Sequence, residues 1–198
     1  MPNQLIHQTL SDYKVMPWKN GGGSTTELAI FPRNARIDEP FQWRLSLAQL
    51  DGSGPFSTFP GYDRIITQLS GSPMILVHEG QSSIALNKNT PYPFRGEWQT
   101  EGRLEGRAQD FNVMVNRDHF RAELDVMTVR DRLTICPSPS GTTYLWLAEG
   151  IATAVYEDQT FHLKTQDSLH LEQSEGDPVV IVSHSATLFQ ITLEPLQR

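Results

Sequence analysis

Apolar and polar residues alternate with a period of two in short runs along this chain, and clusters of Gly, Pro, Asn and Asp separate the runs. A period of two puts successive side chains on opposite faces of an extended strand, whereas a helix needs a recurrence near 3.6. The clearest strand covers residues 41–48, where Phe41, Trp43, Leu45 and Leu47 share one face and Gln42, Arg44, Ser46 and Ala48 the other. A second runs from Asp110 to Asn116, with Phe111, Val113 and Val115 opposite Asp110, Asn112 and Met114. No long segment carries a helical stripe, so the pattern predicts an all-β protein.

Residues 33–36, 51–55, 87–91 and 137–141 read as turns, because their Gly, Pro, Asn, Asp and Ser residues supply positive φ, fixed φ or side-chain turn bonds. The Pro137–Gly141 cluster is the strongest punctuation, and it predicts a junction between an N-terminal portion, residues 1–136, and a C-terminal portion, residues 137–198. An internal repeat supports two related halves. Ser70-Gly71, Ile75-Leu76-Val77 and Ser83-Ile84-Ala85 are followed, each at the offset that separates Gly71 from Gly150, by Glu149-Gly150, Ala154-Val155-Tyr156 and His162-Leu163-Lys164. Repeats this far apart suggest tandem barrels or sandwiches, not a solenoid of short units.

Composition narrows the function classes. With 198 residues the chain can bury roughly 70% of its unfolded surface without staples. Cys136 is its single cysteine, which rules out an intramolecular disulfide and suggests a reducing compartment with a buried or inert thiol. Met1-Pro2-Asn3-Gln4 lacks the basic start of a signal peptide, and no apolar run is long enough to span a bilayer, so a cytoplasmic protein without a membrane partner is expected. A net charge of −7 opposes a phosphate backbone and argues against nucleic acid as a partner. Basic groups converging in a cleft of such a chain would select small anions by local geometry.

The most unusual stretch is Met16-Pro17-Trp18-Lys19-Asn20-Gly21-Gly22-Gly23-Ser24-Thr25-Thr26-Glu27. Three successive glycines can leave backbone N–H groups free for an anion, or can simply form an exposed turn. The stretch is not a phosphate-binding P-loop, because Lys19 precedes the glycines and a strand, not a helix, follows them.

Together with Trp43-Arg44-Leu45-Ser46, residues 54–64, Phe94-Arg95-Gly96-Glu97 and Asp110-Phe111-Asn112-Val113-Met114, that stretch resembles the signature of the HutD/Ves family in order and spacing. The likeness is most specific over about the first 120 residues. It implies a bicupin, meaning two tandem antiparallel β-barrels of jelly-roll type in one chain, with the cleft in the first. It also implies a regulatory protein of bacterial histidine utilisation that binds an anionic pathway metabolite such as N-formylglutamate or urocanate. Ves-like relatives are linked instead to stress response.

Matching positions give Lys19, Asn20, Thr25, Glu27, Arg44, Ser46, Arg64, Asp110 and Asn112 as candidate ligand-binding residues. Arg44 and Arg64 have the strongest chemical claim, since a guanidinium meets a carboxylate through two parallel bonds and stays charged when partly desolvated. Ser46 and Asn112 suit an amide or formyl group, and Glu27 or Asp110 would orient an arginine. The competing reading makes Arg44–Glu27 and Arg64–Asp63 structural ion pairs.

No metal or other cofactor is expected. A metal-binding cupin needs clustered histidines and a carboxylate, whereas His78, His162, His170 and His184 are scattered and read as surface or strand-edge residues. No nucleophile elbow, zinc-protease motif or dinucleotide fingerprint occurs. A metal-free isomerase or hydrolase acting on a small carboxylate remains the alternative to a binding protein, and a module that contacts only other proteins is a third.

Overall fold

The computed structural model describes residues 5–172 and 177–197. Residues 1–4, on which the leader-peptide expectation rests, lie outside the described residues. In chain order the strands are β1 (Ile6–Gln8), β2 (Lys14–Pro17), β3 (Gly23–Phe31), β4 (Trp43–Leu50), β5 (Gly54–Pro55), β6 (Tyr62–Gly71), β7 (Ile75–His78) and β8 (Ile84–Ala85). They continue as β9 (Tyr92–Arg95), β10 (Thr100–Arg103), β11 (Ala108–Asn116), β12 (Phe120–Ile135), β13 (Thr142–Tyr156), β14 (Gln159–Lys164), β15 (Ser168–Glu172) and β16 (Val179–Pro195). The only helical element among the described residues is a single 3-10 turn at Leu10–Asp12. The chain is all-β with antiparallel sheets, in agreement with the period-two pattern.

Two compact units divide the strands. In the unit Tyr13–Phe120, one sheet has the order β2-β3-β4-β11-β6-β9 and the other β5-β10-β7-β8. Leu50 and Ile66 from the first sheet meet Leu76 from the second, with Met74 and Leu104 beside it, in one apolar cluster. The other unit joins the N-terminal residues to Arg121–Arg198. Its sheet runs β1-β15-β13-β16-β12, with β14 added on β13, around a core that includes Leu145, Leu147, Tyr156, Leu163, Leu169 and Leu188.

The division therefore falls at Phe120/Arg121 and not at Pro137–Gly141. Strand β12 already pairs with β16, and β1 pairs with β15, so both belong with the C-terminal sheet. Pro137–Gly141 is the tight connection from β12 to β13, where the Ser138 N–H donates to Thr143 Oγ1 at 2.8 Å and the Gly141 N–H to Ser138 Oγ at 3.1 Å. It is a turn, as its Pro, Ser and Gly residues predict, but it punctuates one unit from within. Cys136, just before it, is exposed and not buried.

The repeat has a structural counterpart. Gly71 (φ 89°) lies opposite Ala108, and Gly150 (φ 94°) lies opposite Ala186. In each case a Cβ would strike the carbonyl oxygen of the residue before that alanine, Arg107 at 2.2 Å or Ser185 at 2.5 Å. Each unit thus carries the same glycine-dependent close approach of two strands.

Candidate ligand-binding site

Strand β11 lies between β4 and β6, and its register fixes which side chains meet. Met114 is paired with Arg44 on one side and Arg64 on the other, Asn112 with Ser46 and Ile66, and Asp110 with Ala48 and Gln68. On β3, Thr25 pairs with Ala48 and Glu27 with Ser46. All these positions share a face, because every second residue of a strand points the same way. In a sheet with one wet face the polar side would meet solvent. Here both faces are buried: Leu45, Leu47, Phe111 and Val113 on one, Arg44, Ser46, Arg64, Asp110 and Asn112 on the other. The polar face lines a cavity of about 600 Å³.

Lys19, Asn20, Thr25, Arg44, Ser46, Arg64, Asp110 and Asn112 all line this cavity. Glu27 stands behind them, holding Arg44, whose Nε donates to Glu27 Oε2 at 2.8 Å while Nη1 reaches Ser46 Oγ at 3.3 Å. The expected Arg44–Glu27 ion pair exists, so Arg44 enters the cavity partly neutralised. The Arg64–Asp63 alternative does not hold, since Asp63 is taken by Arg95 at 2.6 Å and Arg117 at 3.1 Å. Being adjacent on β6, Arg64 and Asp63 point to opposite faces.

Arg64 is 6% exposed and is held by neutral groups. Its Nη2 donates to Asn112 Oδ1 at 2.8 Å and its Nη1 to the Ser57 carbonyl at 3.3 Å. The rings of Phe94, Phe56 and Phe59 surround the guanidinium, with centroids 4.8, 5.5 and 5.8 Å from Cζ. Contacts of a cation with ring faces contribute about 0.5–2 kcal/mol each at best. Burial, opposed by the charge of Asp110 and reinforced by that of Arg44, pushes the Arg64 pKa down to about 10, which leaves it charged at neutral pH. Its Nε has no hydrogen-bond partner among the described residues.

Asn112 passes the arrangement on, since its Nδ2 donates to Asp110 Oδ1 at 2.6 Å. Asp110 is fully buried, and that burial pushes its carboxyl up to about 7 despite the Asn112 bond and the nearby Arg64 charge. Its Oδ2 also lacks a partner among the described residues. Two unspent polar atoms, one donor and one carboxyl oxygen, therefore sit in the same cavity wall.

The glycine stretch forms the turn from β2 to β3. The Gly21 N–H is taken by the Trp18 carbonyl at 3.0 Å and the Gly22 N–H by Asn20 Oδ1 at 3.0 Å. Of the two readings of this stretch, the turn holds, and those two amides are not available as an anion nest. Gly23, at φ 156°, admits no Cβ because the Gln49 carbonyl oxygen would be 2.1 Å away and the Trp18 ring 3.1 Å. That close fit seats Trp18 against the cavity, where its Nε1–H donates to Thr25 Oγ1 at 2.8 Å. Phe56, Phe59, Met114, Ile37 and Trp18 are lining residues that the candidate set omitted. Phe56 and Phe59 stood inside the quoted 54–64 motif, and Met114 on the polar face of its strand; only Ile37 carried no signal.

These residues do not fit a transition metal. Two guanidinium groups cannot ligate a cation and repel it, Glu27 is committed to Arg44, and Asp110 is a lone carboxyl. Elsewhere, no group of three or more His, Cys, Asp or Glu side chains gathers among the described residues. Two histidines are buried where strand-edge or surface positions were expected. His78 bonds Thr100 Oγ1 at 2.8 Å and the Tyr92 hydroxyl at 3.2 Å, and His170 packs beside Tyr144. His162 and His184 are exposed.

The family described as HutD matches residues 10–189. The chain belongs to the HutD family. A relative from Pseudomonas putida, an uncharacterised 21.2 kDa protein in the hutC 3′ region, is 37% identical over 87% of this chain and 90% of its own length. Protein Ves of Citrobacter koseri is 37% identical over 58% of this chain, a match that spans 61% of that protein. The structure of HutD from Pseudomonas fluorescens SBW25, in a formate condition, superposes with a TM-score of 0.82 at 30% identity, covering 98% of this chain and 100% of the other. Oxalate decarboxylase from Lactobacillus farciminis shares only the fold, at a TM-score of 0.68 and 8% identity over 96% of this chain and 86% of its own. HutD-family membership and a cupin-type fold thus agree with the polar-lined β-unit. No helix of the described residues is long and apolar enough to cross a membrane.

Proposed function

We propose that this HutD-family chain is a regulatory protein of histidine utilisation that binds a small carboxylate metabolite in the cavity of the Tyr13–Phe120 unit. The observation that carries the reading is Arg64: a charged guanidinium, almost fully buried, with neutral partners and a spare Nε–H donor in the cavity wall. A buried donor without a partner costs about 1–3 kcal/mol, a cost that a bound carboxylate oxygen offsets. Arg44 stands two strands away on the same face, roughly 10 Å in backbone separation, and Lys19 lines the same cavity. A ligand with one carboxylate on Arg64 and a second polar end toward Arg44, Ser46 or Lys19 fits that spacing. The volume of about 600 Å³ suits a metabolite of that size.

N-formylglutamate and urocanate are the preferred candidates. The near full-length match to a hutC-region protein, against a match to about three fifths of Ves, favours histidine utilisation over the stress-response branch. A thermal-shift screen of formate, urocanate, glutamate and N-formylglutamate tests this. A ligand present at about 100 times its Kd stabilises the protein by about 2.7 kcal/mol, whereas no shift with any of the acids would contradict the reading and favour a protein-interaction module.

A metal-free enzyme acting on the same carboxylate is the second reading, favoured by Asp110, a buried carboxyl held near neutrality where it can exchange a proton. Mass spectrometry of the incubated ligand separates the two, since a binding protein returns the compound unchanged.

A further inference from the structure

The geometry points to Asp110 as a hydrogen-bond donor to the ligand: we infer that it enters the complex as the neutral acid, gives its Oδ2 proton to a ligand oxygen, and so couples anion uptake to proton uptake. This rests on the carboxylate reading above and adds which atom discriminates among acids. The orientation is set by a chain of bonds. Arg64 can only donate, so the Asn112 oxygen must face it, and the Asn112 amide nitrogen must face Asp110 Oδ1. Oδ1 is therefore committed as an acceptor, and Oδ2 is left as the free position of a fully buried carboxyl.

An ionised Oδ2 in this wall would meet an incoming anion with like charge in a poorly screened space. A protonated Oδ2 supplies a donor there instead. The charged groups around it are Arg64 on β6, Arg44 on β4, Glu27 on β3 and Lys19 in the β2–β3 turn; the cavity residues from 52 to 59 are uncharged. Glu27 is bonded to Arg44, whereas Asp110, whose burial pushes its carboxyl up to about 7, is placed to change charge near neutrality. Binding an anion beside it raises its proton affinity further.

The proton balance is simple. The ligand keeps its carboxylates ionised, the solvent supplies one proton to the fraction of Asp110 that is ionised in the free protein, and no bond between heavy atoms forms or breaks. N-formyl-L-glutamate is the probe of choice, since its carboxylates titrate near pH 4 and its formamide not at all, unlike the imidazole of urocanate. Calorimetry at pH 8 in two buffers of different ionisation enthalpy should show close to one proton taken up per N-formylglutamate bound. From pH 8 to 9 affinity should fall close to tenfold. Asp110→Asn, which keeps the shape and carries a permanent donor, should bind without proton uptake and with an affinity that does not vary over that range.

Binding by the native chain with no proton uptake at pH 8 overturns the inference and leaves the carboxylate site standing. Proton release, with affinity rising with pH, also overturns it and assigns Asp110 as an ionised acceptor for the formamide N–H. Should the variant fail to fold, the native uptake measurement still decides. Absence of any calorimetric response to N-formylglutamate, formate and urocanate removes the site reading itself and the inference with it.

Discussion

Arg64 donates to Asn112 Oδ1 at 2.8 Å, and that bond holds a buried cation without neutralising it. A carboxylate in place of the amide would neutralise the guanidinium in the resting protein. Asn112→Asp should retain the fold, because one oxygen of the new carboxylate keeps the Arg64 contact and the other, where the Asn112 amide now faces Asp110 Oδ1 at 2.6 Å, accepts from a protonated Asp110. It should weaken carboxylate binding at least tenfold, since the site would already contain its own anion. Isothermal calorimetry with N-formylglutamate on a variant of unchanged circular dichroism checks this; undiminished affinity would mean that Arg64 does not meet the ligand.

The paired glycines give a stability prediction independent of any ligand. Gly71→Ala and Gly150→Ala each force a Cβ into a neighbouring backbone carbonyl at a positive φ, so each should cost about 2–4 kcal/mol. Gly52→Ala, where nothing lies within 4 Å, should stay within about 0.5 kcal/mol. Urea unfolding of the three variants measures the contrast, and each damaging substitution should act in its own unit.

Asp110 also makes stability depend on pH in an unusual direction. Its carboxyl titrates near pH 4 unfolded and at about 7 folded, so between those values the native state holds the extra proton. Its contribution is full below about pH 4 and is lost as pH rises through 7. Native protein should lose stability from pH 5 to 8 relative to Asp110→Asn, which lacks that titration. Parallel stability curves for the two proteins would show that Asp110 is ionised throughout.

Much of this site was legible as residue types in a pattern. Period-two alternation placed Arg44 with Ser46, and Asp110 with Asn112 and Met114, on common faces, and the register then set those faces side by side. The alternation could not show that the polar face would turn inward, because a polar strand face reads the same toward water or toward a cavity. Nor could it separate Arg44, which has an ionic partner, from Arg64, which has none among the described residues; that depends on contacts between β3, β4, β6 and β11 made far apart in sequence. The unit boundary was missed for a similar reason. Proline and glycine at 137–141 mark a turn, but only long-range pairing of β12 with β16 and of β1 with β15 decides to which unit a turn belongs.

The central claim is that Arg64 is the anion anchor, and titration of native chain, Arg64→Ala and Arg64→Lys with N-formylglutamate and urocanate tests it most directly. Loss of a charge-assisted hydrogen bond costs about 1.5–3 kcal/mol, so Arg64→Ala should bind roughly tenfold to a hundredfold more weakly at about 1.4 kcal/mol per decade. Arg64→Lys should recover only part of this, because an ammonium keeps the charge and loses the planar fork. Native binding that both substitutions leave unchanged in a folded protein would make Arg64 a structural residue and contradict the account.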